Sequence, residues 1–151
     1  MLSGLTLHER FSARLSRLAM TGKDAEDALY GTSIALVDDD EAVLDAVQGL
    51  LEVFDVEVRT YQSGADFLED NRKVACLIVD YNMPALNGFD VVSELRKRGV
   101  SLPTIMITAL VDPTIERRAA ELGVRRVLAK PLKTPALLTA LRDAMRLIDE
   151  G

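Results

Sequence analysis

Five side chains in this chain of 151 residues are of types able to do phosphorus chemistry together. Asp38 and Asp39 follow the apolar run Ile34-Ala35-Leu36-Val37, and Asp80 follows Val74 through Val79. Thr108 closes Thr104-Ile105-Met106-Ile107, and Lys130 follows Val127-Leu128-Ala129. Three carboxylates brought to one place repel one another unless a cation intervenes. Hard oxygen ligands of this kind suit Mg²⁺, whose coordination is completed by water and phosphate oxygen. A hydroxyl and an ammonium opposite them can hold the other oxygens of a transferred phosphoryl group. The chemistry that fits is attack by a carboxylate on phosphorus, leaving an aspartyl phosphate. Singly, each residue has a plain structural reading. Asp38 to Asp40 can cap a helix, Thr108 can end a strand, and Lys130 can be surface charge. The shared position at strand ends is what separates the two readings.

That position depends on the elements. Short uninterrupted apolar runs fit strands buried on both faces, as in a parallel sheet covered by helices. The first such strand runs over Ile34 to Val37, and Glu41 to Phe54 carries a helical stripe of Val43, Leu44, Val47, Leu50, Leu51 and Phe54. Val56 to Tyr61 is β-branched and alternating, which predicts a half-covered or edge strand. Ser63 caps a short helix through Phe67 and Leu68. The central strand ends at Asp80, and a helix from Phe89 to Arg98 stops at Gly99. Thr104 to Thr108 is the next strand. Asp112-Pro113 opens a helix that Gly123 ends. Val127 to Ala129 is a last short strand, and Thr134 to Ile148 a closing helix with Leu137, Leu138, Leu141, Met145 and Ile148 on its apolar side. Five strands alternating with five helices predict an α/β fold, a doubly wound parallel sheet with its ligand crevice at the carboxyl ends of the strands.

Composition sets the class. Hydrophobic residues at 48% and charged residues at 28% are those of a globular domain. A net charge of −6 disfavours nonspecific binding to nucleic acid or anionic membrane. No apolar run approaches the roughly 20 residues that span a bilayer, and the N-terminus lacks a signal peptide pattern. A cytoplasmic protein is expected. Cys76, the single cysteine, reads as a small buried hydrophobe. Residues 1–32 form an N-terminal extension to a domain over 33–151. In it Leu7, Phe11, Leu15 and Leu18 recur at helical spacing among Arg10, Arg14 and Arg17. This partly helical stripe is a candidate for homodimerisation or partner docking, and His8 reads as a solvated helix residue.

Val37-Asp38-Asp39, Val79-Asp80-Tyr81-Asn82-Met83-Pro84 with Gly88, Ile107-Thr108-Ala109 and Lys130-Pro131 closely resemble the signature set of two-component response-regulator receiver domains. The resemblance covers the chain from about Ser33 onward and is nearest to single-domain, chemotaxis-regulator-like members. It implies a flavodoxin-like receiver fold and makes Asp80 the phosphoacceptor, served by a histidine kinase or histidine phosphotransfer protein. Mg²⁺ would be held by Asp39, Asp80 and the Asn82 backbone carbonyl, with Asp38 acting largely through water. Thr108 would bind a phosphoryl oxygen and shift inward, and Lys130 would pair with the phosphoryl group. Lys130-Pro131 would be the family's cis peptide, and Leu110 and Asn82 would flank the site. Output would pass to a downstream protein target or along a phosphorelay, without direct contact to nucleic acid or membrane. The chain would catalyse only its own phosphorylation and dephosphorylation. One position departs from the pattern. Three residues before Lys130, where the family commonly carries a mobile aromatic ring, stands Val127.

Two other readings compete with a stand-alone receiver. The chain is compatible with a receiver fragment of a transcription factor. Asp38-Asp39-Asp40 also satisfies the Asp-x-Asp opening of haloacid-dehalogenase-like phosphatases, with Asp38 as nucleophile. Against the latter, Ala42 stands where Thr or Val is expected, and Lys130-Pro131 occupies the place of the later acidic motif. A third reading, a receiver-like module that is never phosphorylated, conflicts with the complete set of acids, Thr and Lys.

Overall fold

A computed structural model of the chain describes Leu29 and residues 31–150, with side chains through Arg146. The N-terminal helical stripe lies outside the described residues. The elements are β1 (Ser33–Val37), α1 (Glu41–Glu52), β2 (Glu57–Tyr61), α2 (Gly64–Glu69), β3 (Cys76–Asp80), α3 (Gly88–Lys97), β4 (Thr104–Thr108), α4 (Pro113–Glu121), β5 (Arg126–Ala129) and α5 (Thr134–Glu150). The sheet has the order β2-β1-β3-β4-β5, with every pairing parallel. The five-stranded doubly wound architecture expected from the sequence is therefore the one observed, and β2 is an edge strand as its alternating polarity predicts.

The apolar runs do what two-sided burial requires. Ile34, Leu36, Cys76, Ile78, Ile105, Ile107 and Leu128 face one side, where Leu44, Val47 and Leu51 of α1 and Leu137, Leu141 and Met145 of α5 cover them. Ala35, Val37, Leu77, Val79 and Met106 face the other, under Phe67 of α2, Val91, Val92 and Leu95 of α3, and Ala119 of α4. Each large aliphatic side chain so buried stabilises the fold by about 1.5–3 kcal/mol. Leu29 is only 1% exposed and belongs to the α1/α5 cluster. Packing of the domain thus begins before the Ser33 boundary that the sequence pattern suggests.

Local signals fix the helix ends. Ser63 accepts a hydrogen bond from Asp66 N–H, Asp112 accepts one from Ile115 N–H ahead of Pro113, and Asn87 with Asp90 forms a reciprocal capping box. Gly99 and Gly123 take φ of +72° and +83° after α3 and α4, the left-handed turn that a helix stop favours. Boundaries shift by a residue or two from the sequence expectation. α1 ends at Glu52 rather than Phe54, because the chain must turn through Asp55 at φ +59° to enter β2. β3 begins at Cys76, since Val74 and Ala75 precede the first ladder pairing of this strand with β1.

Candidate functional site

β1, β3, β4 and β5 deliver Asp38, Asp80, Thr108 and Lys130 to one edge of the sheet. The register aligns them closely. Val37 pairs with Val79, Asp80 with Ile107, and Thr108 with Ala129, so each polar residue falls at or one step beyond a neighbour's last rung. Tyr81 N–H donates to Ile107 carbonyl at 2.8 Å and Lys130 N–H to Thr108 carbonyl at 2.8 Å, which extends the ladder into the loops bearing the side chains.

The three consecutive acids after β1 divide their roles. Asp40 caps α1, its side chain accepting from Ala42 N–H at 3.0 Å. Asp38 is fully buried, and its Oδ1 accepts from Asp40 N–H at 2.9 Å. Asp39 stays exposed, yet one carboxylate oxygen from each of Asp38, Asp39 and Asp80 lies within 4.8 Å of the others. Capping and clustering were alternatives at the level of sequence; here adjacent residues do one each.

Lys130 holds the cluster together. Its Nζ lies 2.9 Å from Asp38 Oδ2 and 3.2 Å from Asp80 Oδ2. The first contact is close in distance but lacks hydrogen-bond geometry, so the buried Asp38 Oδ2 has electrostatic attraction without a directed donor. Asn82 N–H reaches Asp80 Oδ1 at 3.4 Å, a long bond. Thr108 is at the same edge and 4% exposed, but its hydroxyl exchanges two 3.3 Å hydrogen bonds with the Leu110 backbone. Leu110 itself is 70% exposed on the rim. Val127 is half-buried against the α2/α3/α4 cluster.

Burial pushes the Asp80 carboxyl up to about 6, with the negative charge of Asp38 adding to the rise and Lys130 opposing it. Burial pulls the Lys130 ammonium down. The close contact and charge of Asp38, then the charge of Asp80, outweigh that and leave Lys130 above its ordinary value. Buried Cys76, pushed up to about 12 by desolvation, is a packing residue of β3.

Two features of the site's frame lie in the backbone. Gly88 packs so tightly that a β-carbon there would lie 2.8 Å from the Asp80 carbonyl oxygen and 3.1 Å from Tyr81 Cα. Its place in the sequence, at the start of a helix, gives no sign of that crowding. Ala85 takes φ +66° in the loop after Asp80, inside a tight turn closed by Leu86 N–H to Pro84 carbonyl at 2.8 Å. An alanine gives no sequence signal for such a backbone. The Lys130-Pro131 peptide is cis.

This fold and this edge of acids, hydroxyl and ammonium define the receiver class. Residues 34–142 match the family model described as the response regulator receiver domain, and the chain belongs to that family. It is similar to the response regulator protein TmoT of Ectopseudomonas mendocina, at 33% identity over 140 residues, covering 91% of this chain and 60% of that protein. TodT of Pseudomonas putida is 34% identical over 116 residues, covering 76% of this chain and 51% of TodT. Among solved structures, a response regulator receiver domain from Clostridium thermocellum superposes with a TM-score of 0.71 at 27% identity, covering 78% of this chain and 97% of that one. The response regulator StyR superposes at 0.72 with 31% identity, covering 80% and 62%. The chain spans about half the length of the curated relatives it matches.

Proposed function

We propose that Asp80 is the phosphoacceptor of this receiver domain, taking a phosphoryl group from a phosphohistidine on a histidine kinase or phosphotransfer protein. The observation that carries the reading is the convergence on Asp80 of an ammonium at 3.2 Å and two further carboxylates within 4.8 Å. A carboxylate raised only to about 6 is largely ionised at neutral pH, and so is available as a nucleophile. An Asp80 oxygen forms the new bond to phosphorus as the phosphorus–nitrogen bond to the donor imidazole breaks, and the imidazole leaves with the electron pair and takes up a proton. Lys130, freed from Asp80 as that carboxylate becomes an ester-like acyl phosphate, neutralises a phosphoryl oxygen. The Thr108 hydroxyl exchanges its Leu110 partner for another.

The donor set fits Mg²⁺. It is all oxygen, carries three negative charges, and includes a buried Asp38 oxygen with no directed donor. Asp39, Asp80 and the Asn82 backbone carbonyl would hold the ion, with Asp38 beside it through water. When bound, Mg²⁺ supplies neutralisation of charge on the transferred phosphoryl group.

Two arrangements of output remain to be separated. In one the chain is a stand-alone receiver acting through protein contacts or a phosphorelay. In the other it is the receiver portion of a longer transcriptional regulator. The second is favoured by the relatives, which include proteins named as the transcriptional regulatory proteins TdiR of Thauera aromatica and FixJ of Azorhizobium caulinodans and are about twice as long as the matched segment. Immunoblotting the native source decides this. A band at the mass of 151 residues supports the stand-alone form, and a larger one the fused form.

Acetyl phosphate with Mg²⁺, followed by peptide mass analysis, tests the site. The expected result is one phosphoryl adduct on the peptide containing Asp80, absent from Asp80→Asn. An adduct on Asp38 would overturn the assignment in favour of the haloacid-dehalogenase-like alternative. No adduct from any donor, with no Mg²⁺ binding, would favour an unphosphorylated module.

A further inference from the structure

The amino edge of the sheet, at the far end of the strands from Asp80, carries charge opposite in sign to that of the whole chain. Arg72, Lys73, Arg96, Lys97, Arg98 and Arg125 are all exposed there, in a chain of net charge −6. Arg72 pairs with Asp70 and Arg98 with Glu94. Lys73, Arg96, Lys97 and Arg125 form no ion pair among the described residues. Cations in the last turn of α3 complement the dipole of that helix. Lys73 and Arg125 lie beyond the last turns of α2 and α4, where no helix dipole accounts for them.

These cations rim an apolar floor. A groove of about 710 Å³ between the ends of α3 and α4 is lined by Leu95, Leu122 and Val124, with Arg96 and Arg125 at its sides. Another of about 490 Å³, toward the end of α2, is lined by Phe67 and Leu102 with Arg72, Lys73 and Arg98. Leu95, Val100, Ser101 and Leu102 line both, so the grooves meet across the α3–β4 loop. Arg96 Nη1 donates to the Glu121 carbonyl at 3.0 Å and Arg98 Nη1 to the Leu68 carbonyl at 2.8 Å, which ties the walls together. The chain turns at Gly99, φ +72°, and leaves Val100 standing 44% exposed at the junction.

We propose that this edge docks an acidic segment of a partner protein, its apolar side chains on Val100 and the groove floor and its carboxylates on Lys73, Arg96, Lys97 and Arg125. Charge complementarity and an apolar anchor together select this occupant. A nucleic acid fits worse. Its phosphates would meet Asp70, Glu94 and Glu121 among the cations, and it brings no apolar side chain to the floor. About 13 Å of β4 separates Thr104 at this edge from Thr108 at the other. The docked segment therefore leaves Asp80 open, and its binding is independent of phosphorylation there.

The test titrates the isotopically labelled full chain with a Glu-rich peptide that carries Leu at helical spacing. Amide shifts are expected to cluster at residues 72–74, 95–102 and 122–125, to weaken with added salt, and to be the same in Asp80→Asn. Val100→Asp and, separately, Lys73→Glu/Arg125→Glu should each weaken binding by about tenfold or more. A Lys-rich peptide with the same Leu spacing should bind the charge-reversed variant more tightly than wild type. Amide shifts of β1 and β3 unchanged in each variant show that the domain itself is folded. Shifts centred elsewhere, or no shift at millimolar peptide, would overturn the proposal. So would equal affinity for a peptide of Glu alone or for a short DNA duplex, binding untouched by Val100→Asp, or a charge reversal without effect.

Discussion

Asp80 is held away from its ordinary ionisation by its surroundings. Its carboxyl, ordinarily at 3.8, is held at about 6 by burial and by Asp38. Relative to the unfolded chain, the folded state therefore favours the protonated form. The stability associated with that preference is full below about pH 4 and is lost as pH rises through about 6. In urea unfolding with chelator present, Asp80→Asn should exceed wild type above pH 6 by on the order of 1–3 kcal/mol, and the gap should close toward pH 4. A parallel pH dependence of the two proteins would contradict the assigned cause. Ala85 presents a different strain. At φ +66° its β-carbon opposes the left-handed backbone, a cost that glycine escapes. Ala85→Gly should raise stability by about 0.5–1 kcal/mol, after allowing for the greater entropy of glycine in the unfolded chain. A loss of stability would mean that the alanine methyl makes contacts outweighing the strain.

The junction of β3 with α3 shows how elements position the site. Asp80 ends one and Gly88 begins the other, and Gly88 N–H donates to Tyr81 carbonyl at 2.9 Å. The Tyr81 and Phe89 rings meet edge-to-face with centroids 5.0 Å apart, fixing the helix start against the loop. A methyl at residue 88 has no room, since the nearest obstacles include the Asp80 and Tyr81 backbone and the Met106 terminal methyl at 2.9 Å. Gly88→Ala should cost about 1–3 kcal/mol, read by thermal or denaturant unfolding. It should also lower the rate of acetyl phosphate labelling, because the helix can only make room by moving the strand end. Normal labelling at reduced stability would show that α3 yields without disturbing Asp80.

For the molecule as a whole, the question is how a change at one sheet edge reaches the surface. Val127 fills its place in the α2/α3/α4 cluster as a half-buried aliphatic side chain, with no ring to follow Thr108. We expect a phosphoryl mimic to shift amides mainly in the Asp80–Asn87 and Thr108–Asp112 loops, with a muted response along α4, β5 and α5. Comparison of amide spectra with and without the mimic checks this. A full response over those three elements would require a coupling that does not use a ring.

Much of this protein is legible in its sequence. Uninterrupted apolar runs, one alternating segment and helical stripes with their caps mark five strands and five helices, because two-sided burial, one-sided burial and helical packing each set their own spacing. Ser63, Asp112, Gly99 and Gly123 marked helix ends, because capping is a local backbone requirement. The strand-end acids and Lys130 could be named as one group, because parallel strands share an edge. Long-range packing decided the rest. No local rule says that Asp40 caps while Asp38 is buried against Lys130, that Thr108 turns its hydroxyl to Leu110, that Ala85 accepts a left-handed backbone, or that Gly88 must lie against the Asp80 carbonyl. Those outcomes follow from which atoms of distant segments compete for the same few ångströms, and that competition exists only once the sheet has assembled.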